Sequence, residues 1–158
     1  ANTGDNFPCY NIQPQYDTSI DNELIISVGY NSDAVIKLMT YSEVCIRISY
    51  VKGGESYTMK NIPLGNYYLK LAYGKDFRMS TKDNQCIAVF LRDPVYKKGD
   101  QNLNFEKTRK ENKVIGDKEY SNYYISYFKL ALNNEFVKGL NKMKTFNSKK
   151  ISENDFNQ

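Results

Sequence analysis

Histidine is missing from the whole chain, and with it go Ser-His-Asp and Cys-His catalysis, imidazole metal ligation and the usual proton shuttle near neutral pH. Tryptophan is absent too. The three cysteines, Cys9, Cys45 and Cys86, are too few for the disulfide density of a tiny secreted scaffold and match no paired metal-knuckle spacing. A four-ligand zinc site would therefore need carboxylates or a second chain. No apolar run approaches the roughly 18 residues of a membrane-spanning helix. Gly53-Gly54 lacks the Gly-Lys-Ser/Thr of a phosphate-cradling loop. No metal or cofactor is expected.

Hydrophobic residues make up 41% of the 158, with 14 tyrosines and 8 phenylalanines. One domain of this length buries roughly two-thirds of the surface its unfolded chain exposes. Tyrosine packs its ring and needs a partner for its hydroxyl, which suits half-buried strands and binding surfaces alike.

Period-two alternation predicts strands over Leu24–Val28, Ala34–Met39, Val44–Val51 and Tyr57–Ile62, with Gly53 and Gly54 supplying a tight reversal. In the third, Val44, Ile46, Ile48 and Tyr50 form the apolar set opposite Cys45, Arg47 and Ser49, leaving one face to solvent. From Tyr67, the set Tyr67, Leu69, Leu71 and Tyr73 alternates with Tyr68, Lys70 and Ala72, as in an antiparallel sheet with one better-buried surface. Further strands are expected at Cys86–Leu91, Asn102–Glu106 and Tyr123–Leu132, separated by polar connections at Asp93–Asp100 and Thr108–Asn122. Residues 1–21 read as an extended lead-in or tether, 22–135 as a β-sandwich domain, and 136–158 as a C-terminal extension with a frayed polar end. Within it, Phe136, Leu140 and Met143 mark a weak helical face, while Lys142–Asn147 reads equally as an edge strand.

Cys45 and Cys86 both open strand-like runs and form the preferred disulfide pair, with three reduced thiols as the alternative. The sequence begins at Ala1 without an initiator Met or an apolar leader, which would suit a mature secreted product, a lipoprotein body lacking its anchor, or an expressed fragment. Export to the periplasm, outer surface or exterior is the expectation.

The run Ile62-Pro63-Leu64-Gly65-Asn66-Tyr67-Tyr68-Leu69, with Gly74 beyond the strand, resembles carboxypeptidase regulatory-like and PEGA-type domains, whose repeats read as an apolar residue, Pro, a variable residue, Gly and a tyrosine-containing strand. The resemblance covers roughly Leu24 to Phe77. It implies an all-β, antiparallel β-sandwich of transthyretin or carboxypeptidase-regulatory-like type, serving structural support or recognition.

Two Ser-x-x-Lys matches, Ser49 to Lys52 and Ser126 to Lys129, lie in strands, where a three-residue step sends the side chains to opposite faces. Carboxylates such as Glu55 and Asp76 are scattered. Asp83-Asn84 and Asp93-Pro94 read as turns. A formal charge of +4 permits attachment to an anionic partner but is modest for nucleic acid. The reading is therefore a non-catalytic structural or binding module of a cell-envelope or extracellular protein, its partner a protein or glycan. It acts through an exposed sheet face with Tyr68, Lys70, Tyr123 and Tyr127 as contacts. A carboxylate-dependent carbohydrate hydrolase and an electrostatic nucleic-acid binder are the alternatives.

Overall fold

In β1 (Glu23–Val28), Leu24, Ile26 and Val28 are buried while Glu23, Ile25 and Ser27 are half-buried, the pattern of a strand with one face on a core. The chain continues through β2 (Asp33–Thr40), β3 (Cys45–Val51), β4 (Ser56–Lys60), β5 (Gly65–Lys82) and β6 (Gln85–Gly99). It then forms β7 (Leu103–Phe105), β8 (Arg109–Ile115), β9 (Lys118–Tyr124), β10 (Tyr127–Leu132), β11 (Ser148–Ile151) and the helix α1 (Glu153–Asn157). This computed structural model describes residues 1–6, 8–83, 85–107, 109–132 and 148–158, without the side chains of 8, 81, 82, 85, 87, 109–111 and 121–124. Phe136, Leu140, Met143 and the stretch Lys142–Asn147 lie outside the described residues.

The molecule is an all-β sandwich. One sheet has the order β10-β1-β4, the other β11-β6-β5-β2-β3 with β7 added to β5, and β8 and β9 form a separate ribbon. A shared core between the sheets takes Leu24, Ile26 and Val28 from β1, Ile36 and Leu38 from β2, Leu69 and Leu71 from β5, and Leu130 and Leu132 from β10. The pairs are antiparallel except β1 with β10, which run parallel because β10 enters at the same end as β1, where the Glu23 N–H donates to the Ser126 carbonyl (3.1 Å). Buried Asn22 closes one corner: its amide donates to the Ile62 carbonyl (2.7 Å) and accepts from the Ile62 N–H (2.9 Å).

Several expectations are corrected. β3 is buried on both faces, since each face packs into an apolar cluster, and a bulge between Leu38 and Met39 breaks its alternation at Ile46. Arg47 and Ser49 oppose Leu38 and Ile36 on the core side, whereas Ile48 and Tyr50 join a second apolar cluster on the sheet's other face. Asp93-Pro94 is no turn. Tyr73 pairs with Val95 and Lys75 with Arg92, so these two residues sit at an irregularity opposite Gly74, where a missing proline donor does no harm. Gly74 allows that approach, since a Cβ there would fall 2.4 Å from the Phe90 Cβ. The stretch 108–122 is largely the β8–β9 ribbon rather than a linker.

The termini also belong to the domain. The Gly4 N–H donates to the Tyr50 carbonyl (2.8 Å), Tyr50 N–H to Asp5 (3.1 Å), Gln15 N–H to Ile46 (3.0 Å) and Asp17 N–H to Asn61 (2.8 Å). The first residues thus form a strap that satisfies the open edge of β3 and reaches the end of β4. At the other terminus, β11 pairs with β6, and Ser152 caps α1 by accepting from the Asp155 N–H (3.1 Å). Phe156 is buried against Tyr10 and Tyr96. The second cluster, containing Val35, Ile48, Tyr50, Ala72, Phe90 and Phe156, therefore lies on the large sheet beneath the strap and α1.

Candidate functional site

Of the four expected contact residues, Tyr68, Lys70 and Tyr127 do not form one exposed patch, and the side chain of Tyr123 lies outside what the structure describes. Tyr68 and Lys70 share the outer face of β5 and are buried, 1% and 6% exposed, because that face is covered rather than open. Tyr127 is exposed on the other sheet, opposite Glu23, and Tyr123 belongs to β9 of the ribbon. The expected cysteine pair is also overturned. Cys9 bonds to Cys86 with their Cα atoms 4.8 Å apart, while Cys45 is free. The sheet order explains this: β3 and β6 are separated by β5 and β2, three strand spacings or about 14 Å, beyond the roughly 7 Å Cα reach of a disulfide.

What the structure does assemble is a row of lysines. Lys37 pairs in register with Lys70, Lys70 with Lys98, and Lys98 with Lys149, placing four ammonium-bearing residues side by side on one face of β2, β5, β6 and β11. Like charges directly opposite repel, so compensation is required. The C-terminal carbonyls of α1 provide part of it: Lys37 Nζ donates to the Phe156 carbonyl (2.6 Å) and Lys70 Nζ to Asp155 (2.8 Å), the favourable end of a helix for cations. Glu43 provides more, accepting from the Tyr68 hydroxyl (2.6 Å) and lying 3.5 Å from Lys70. The Tyr68 hydrogen bond, assisted by Lys70 and Lys98, holds the Glu43 carboxyl below its ordinary range against the opposing effect of burial. Tyr68 itself is pushed up by burial and by Glu43.

Lys37 is only 3% exposed, and its ammonium sits 4.7 Å from the Tyr10 ring centroid and 4.5 Å from that of Phe156. Burial lowers its pKa to about 8, Cys45 opposing this and Lys70 adding to it. The same burial raises the Cys45 thiol to about 11, so it is no reactive thiolate. An open cavity of about 370 Å³ lies over Lys37 and Cys45, walled by strap residues between Tyr10 and Gln15, by Glu43 and Val44, and by Asn157 and Gln158. A smaller one, about 40 Å³, lies by Tyr16 and Arg47.

On the far side of the molecule, the outer face of the small sheet carries Tyr127, Lys129 and Ala131, Glu23, Ile25 and Ser27, and Ser56, Thr58 and Lys60. A Glu23–Lys60 ion pair (3.7 Å) and a Ser27–Ser56 hydrogen bond (2.7 Å) order this face, on which Tyr127, Lys129, Ser56 and Lys60 are exposed and the other residues half-buried.

The remaining sequence candidates lead elsewhere. Ser49 is buried beside the Tyr50 carbonyl and Ser126 donates to Glu106, while Lys52 and Lys129 are exposed. Glu55 bonds Thr3 and Asp76 pairs with Arg92 (2.9 Å), so each has its own partner. Neither cavity is lined by two carboxylates. Among the described residues no three cysteine, aspartate or glutamate side chains cluster for a metal, and no helix is long and apolar enough to cross a membrane.

These observations define the class: an all-β sandwich with one sheet face strapped over a lysine row and, among the described residues, a partly exposed outer face on the opposite sheet. No protein family, curated protein or solved structure matches the chain.

Proposed function

We propose that the chain is a non-catalytic structural or binding module of an exported cell-envelope or extracellular protein, and that the open face of the small sheet is its contact surface. The observation that carries the reading is that face. Tyr127 and Ile25 supply contact area beside Lys129, Lys60 and Glu23, a mixed aromatic and charged composition that suits a protein or glycan partner. The Cys9–Cys86 bond favours an oxidising compartment. The Ile62-to-Leu69 pattern favours a carboxypeptidase regulatory-like or transthyretin-type module; here the Tyr67 hydroxyl folds back onto the Pro63 carbonyl (2.7 Å) and fixes the turn into β5.

Two measurements test the reading. Arrays of envelope glycans and proteins are probed with the chain and with a Tyr127→Ser, Lys129→Ser variant; a ligand whose binding falls at least tenfold in the variant is expected. Ligands bound equally by both, or none, would sink the open-face assignment. Thiol-blocking isolation from the native source is expected to recover the Cys9–Cys86 peptide oxidised, and a fully reduced peptide would overturn export.

A further inference from the structure

The cavity over Lys37 has an electrostatic imbalance. Among the described residues no carboxylate forms an ion pair with Lys37, whose ammonium is held by one carbonyl and two ring faces. Buried ammonium groups ordinarily have anionic partners, since ring faces compensate a charge less than a carboxylate does. Lys70 lies directly opposite, Lys98 beyond it, and the nearby carboxylate, Glu43, is committed to Tyr68 and Lys70. The floor of the cavity is therefore positive. Its walls differ in chemistry: Asn11, Gln13, Gln15, Asn157 and Gln158 bring side-chain amides, each able both to donate and to accept.

With the Glu43 carboxylate in the wall engaged by Tyr68 and Lys70, the buried ammonium of Lys37 below amides at several angles is complementary to a ligand with one negative charge and many hydroxyls. Phosphate satisfies the amide N–H donors but leaves most of the amide carbonyls without a donor, and a neutral sugar matches the amides without supplying a charge for Lys37. We propose that this cavity binds a carboxylate-bearing sugar, a hexuronate unit, with its carboxylate turned to Lys37 and its hydroxyls to the amides. Its size suits one such unit, being at the small end of ligand sites. The site lies on the large sheet, so it is independent of the open face of the small one.

The test is a titration of isotope-labelled protein followed by amide and side-chain resonances, with galacturonate, its methyl ester, glucose, acetate and inorganic phosphate as separate probes. Galacturonate is expected to saturate with a dissociation constant on the order of 1 mM, the scale available to a ligand of this size. Its shifts should map to Gln13, Gln15, Lys37 and Gln158. The methyl ester, glucose, acetate and phosphate should each bind at least tenfold more weakly. Lys37→Met should abolish the preference for galacturonate over its ester, and Gln13→Leu with Gln15→Leu, both at exposed positions, should weaken galacturonate binding several-fold. Lys75→Ala, on the exposed part of β5, should change nothing. Ester binding equal to the acid, shifts mapping elsewhere, or no saturation would each overturn the assignment. The ester comparison needs no variant, so a Lys37→Met protein that failed to fold would not protect the proposal.

Discussion

Lys37 concentrates most of what is unusual at the scale of a single side chain. A lysine on an alternating strand belongs in water, yet this one lies under the strap and α1 and keeps its charge at a cost in desolvation. Its depressed pKa fixes the sign of a pH effect. The unfolded chain holds this proton up to its ordinary value near 10.4, whereas the native state releases it near pH 8. Between those values the unfolded state binds more protons, so stability rises with pH there, by up to about 1.4 kcal/mol per pH unit, and is lost again as pH falls through 8. Tyr10, Tyr50 and Tyr68 act oppositely: their raised pKa values give stability that is present below pH 10 and lost above it. Urea unfolding midpoints at pH 7 and 9.5 should therefore increase for the native sequence. Replacing the lysine by methionine should remove that increase while leaving the decline above pH 10. An equal rise in both proteins would place the titrating group elsewhere.

At the scale of elements, α1 shows how little sequence signal a structural piece needs. It is five residues long, too short to persist alone, and stands because Ser152 caps it, Phe156 fills a hole and two lysines hold its last carbonyls. Truncating Phe156 to alanine removes a side chain whose burial ordinarily contributes about 3 kcal/mol. Because a short terminal helix can undock by itself, the global unfolding free energy should fall by less than that, while amide exchange accelerates in β11 and α1 and stays slow in β1 and β2. Uniform acceleration across both sheets would show that the helix is part of the global cooperative unit. The same element explains what the sequence concealed. β1, β2 and the start of β5 were legible because apolar residues recur at every second position. α1 has one buried anchor and no period, and the ribbon opens on a run of polar and charged residues and closes through a Gly116 turn, so neither carries an alternating hydrophobic signature. Lys70 could be singled out, but its burial could not, since cover comes from residues at both termini. The lysine row depends on register between strands far apart in sequence, which no local pattern encodes.

At the scale of the whole molecule, the Cys9–Cys86 bond ties the strap to the hairpin of β5 and β6 across a separation of 77 residues. Closing a loop of that length in the unfolded chain corresponds to about 4 kcal/mol in the chain-entropy view. The native strap has other attachments on both sides of Cys9, including the backbone bonds of Gly4, Asp5, Gln15 and Asp17, so losing the bond need not release it as a unit. A Cys9→Ser, Cys86→Ser protein is therefore expected to fold, with its stability in urea lowered by about 4 kcal/mol. Its Gly4 and Tyr50 amides should exchange faster relative to global unfolding, while those of Gln15 and Asp17 should not. This pattern separates two actions of one bond. Lower global stability with unchanged local protection would mean that the disulfide acts only on the unfolded ensemble. Local loosening without the global loss would mean that its role is to keep the strap over Tyr10, Lys37 and Phe156. In the second case the cavity above Lys37 depends on an oxidised bond, and a reducing environment would open the covered sheet face without unfolding the sandwich beneath it.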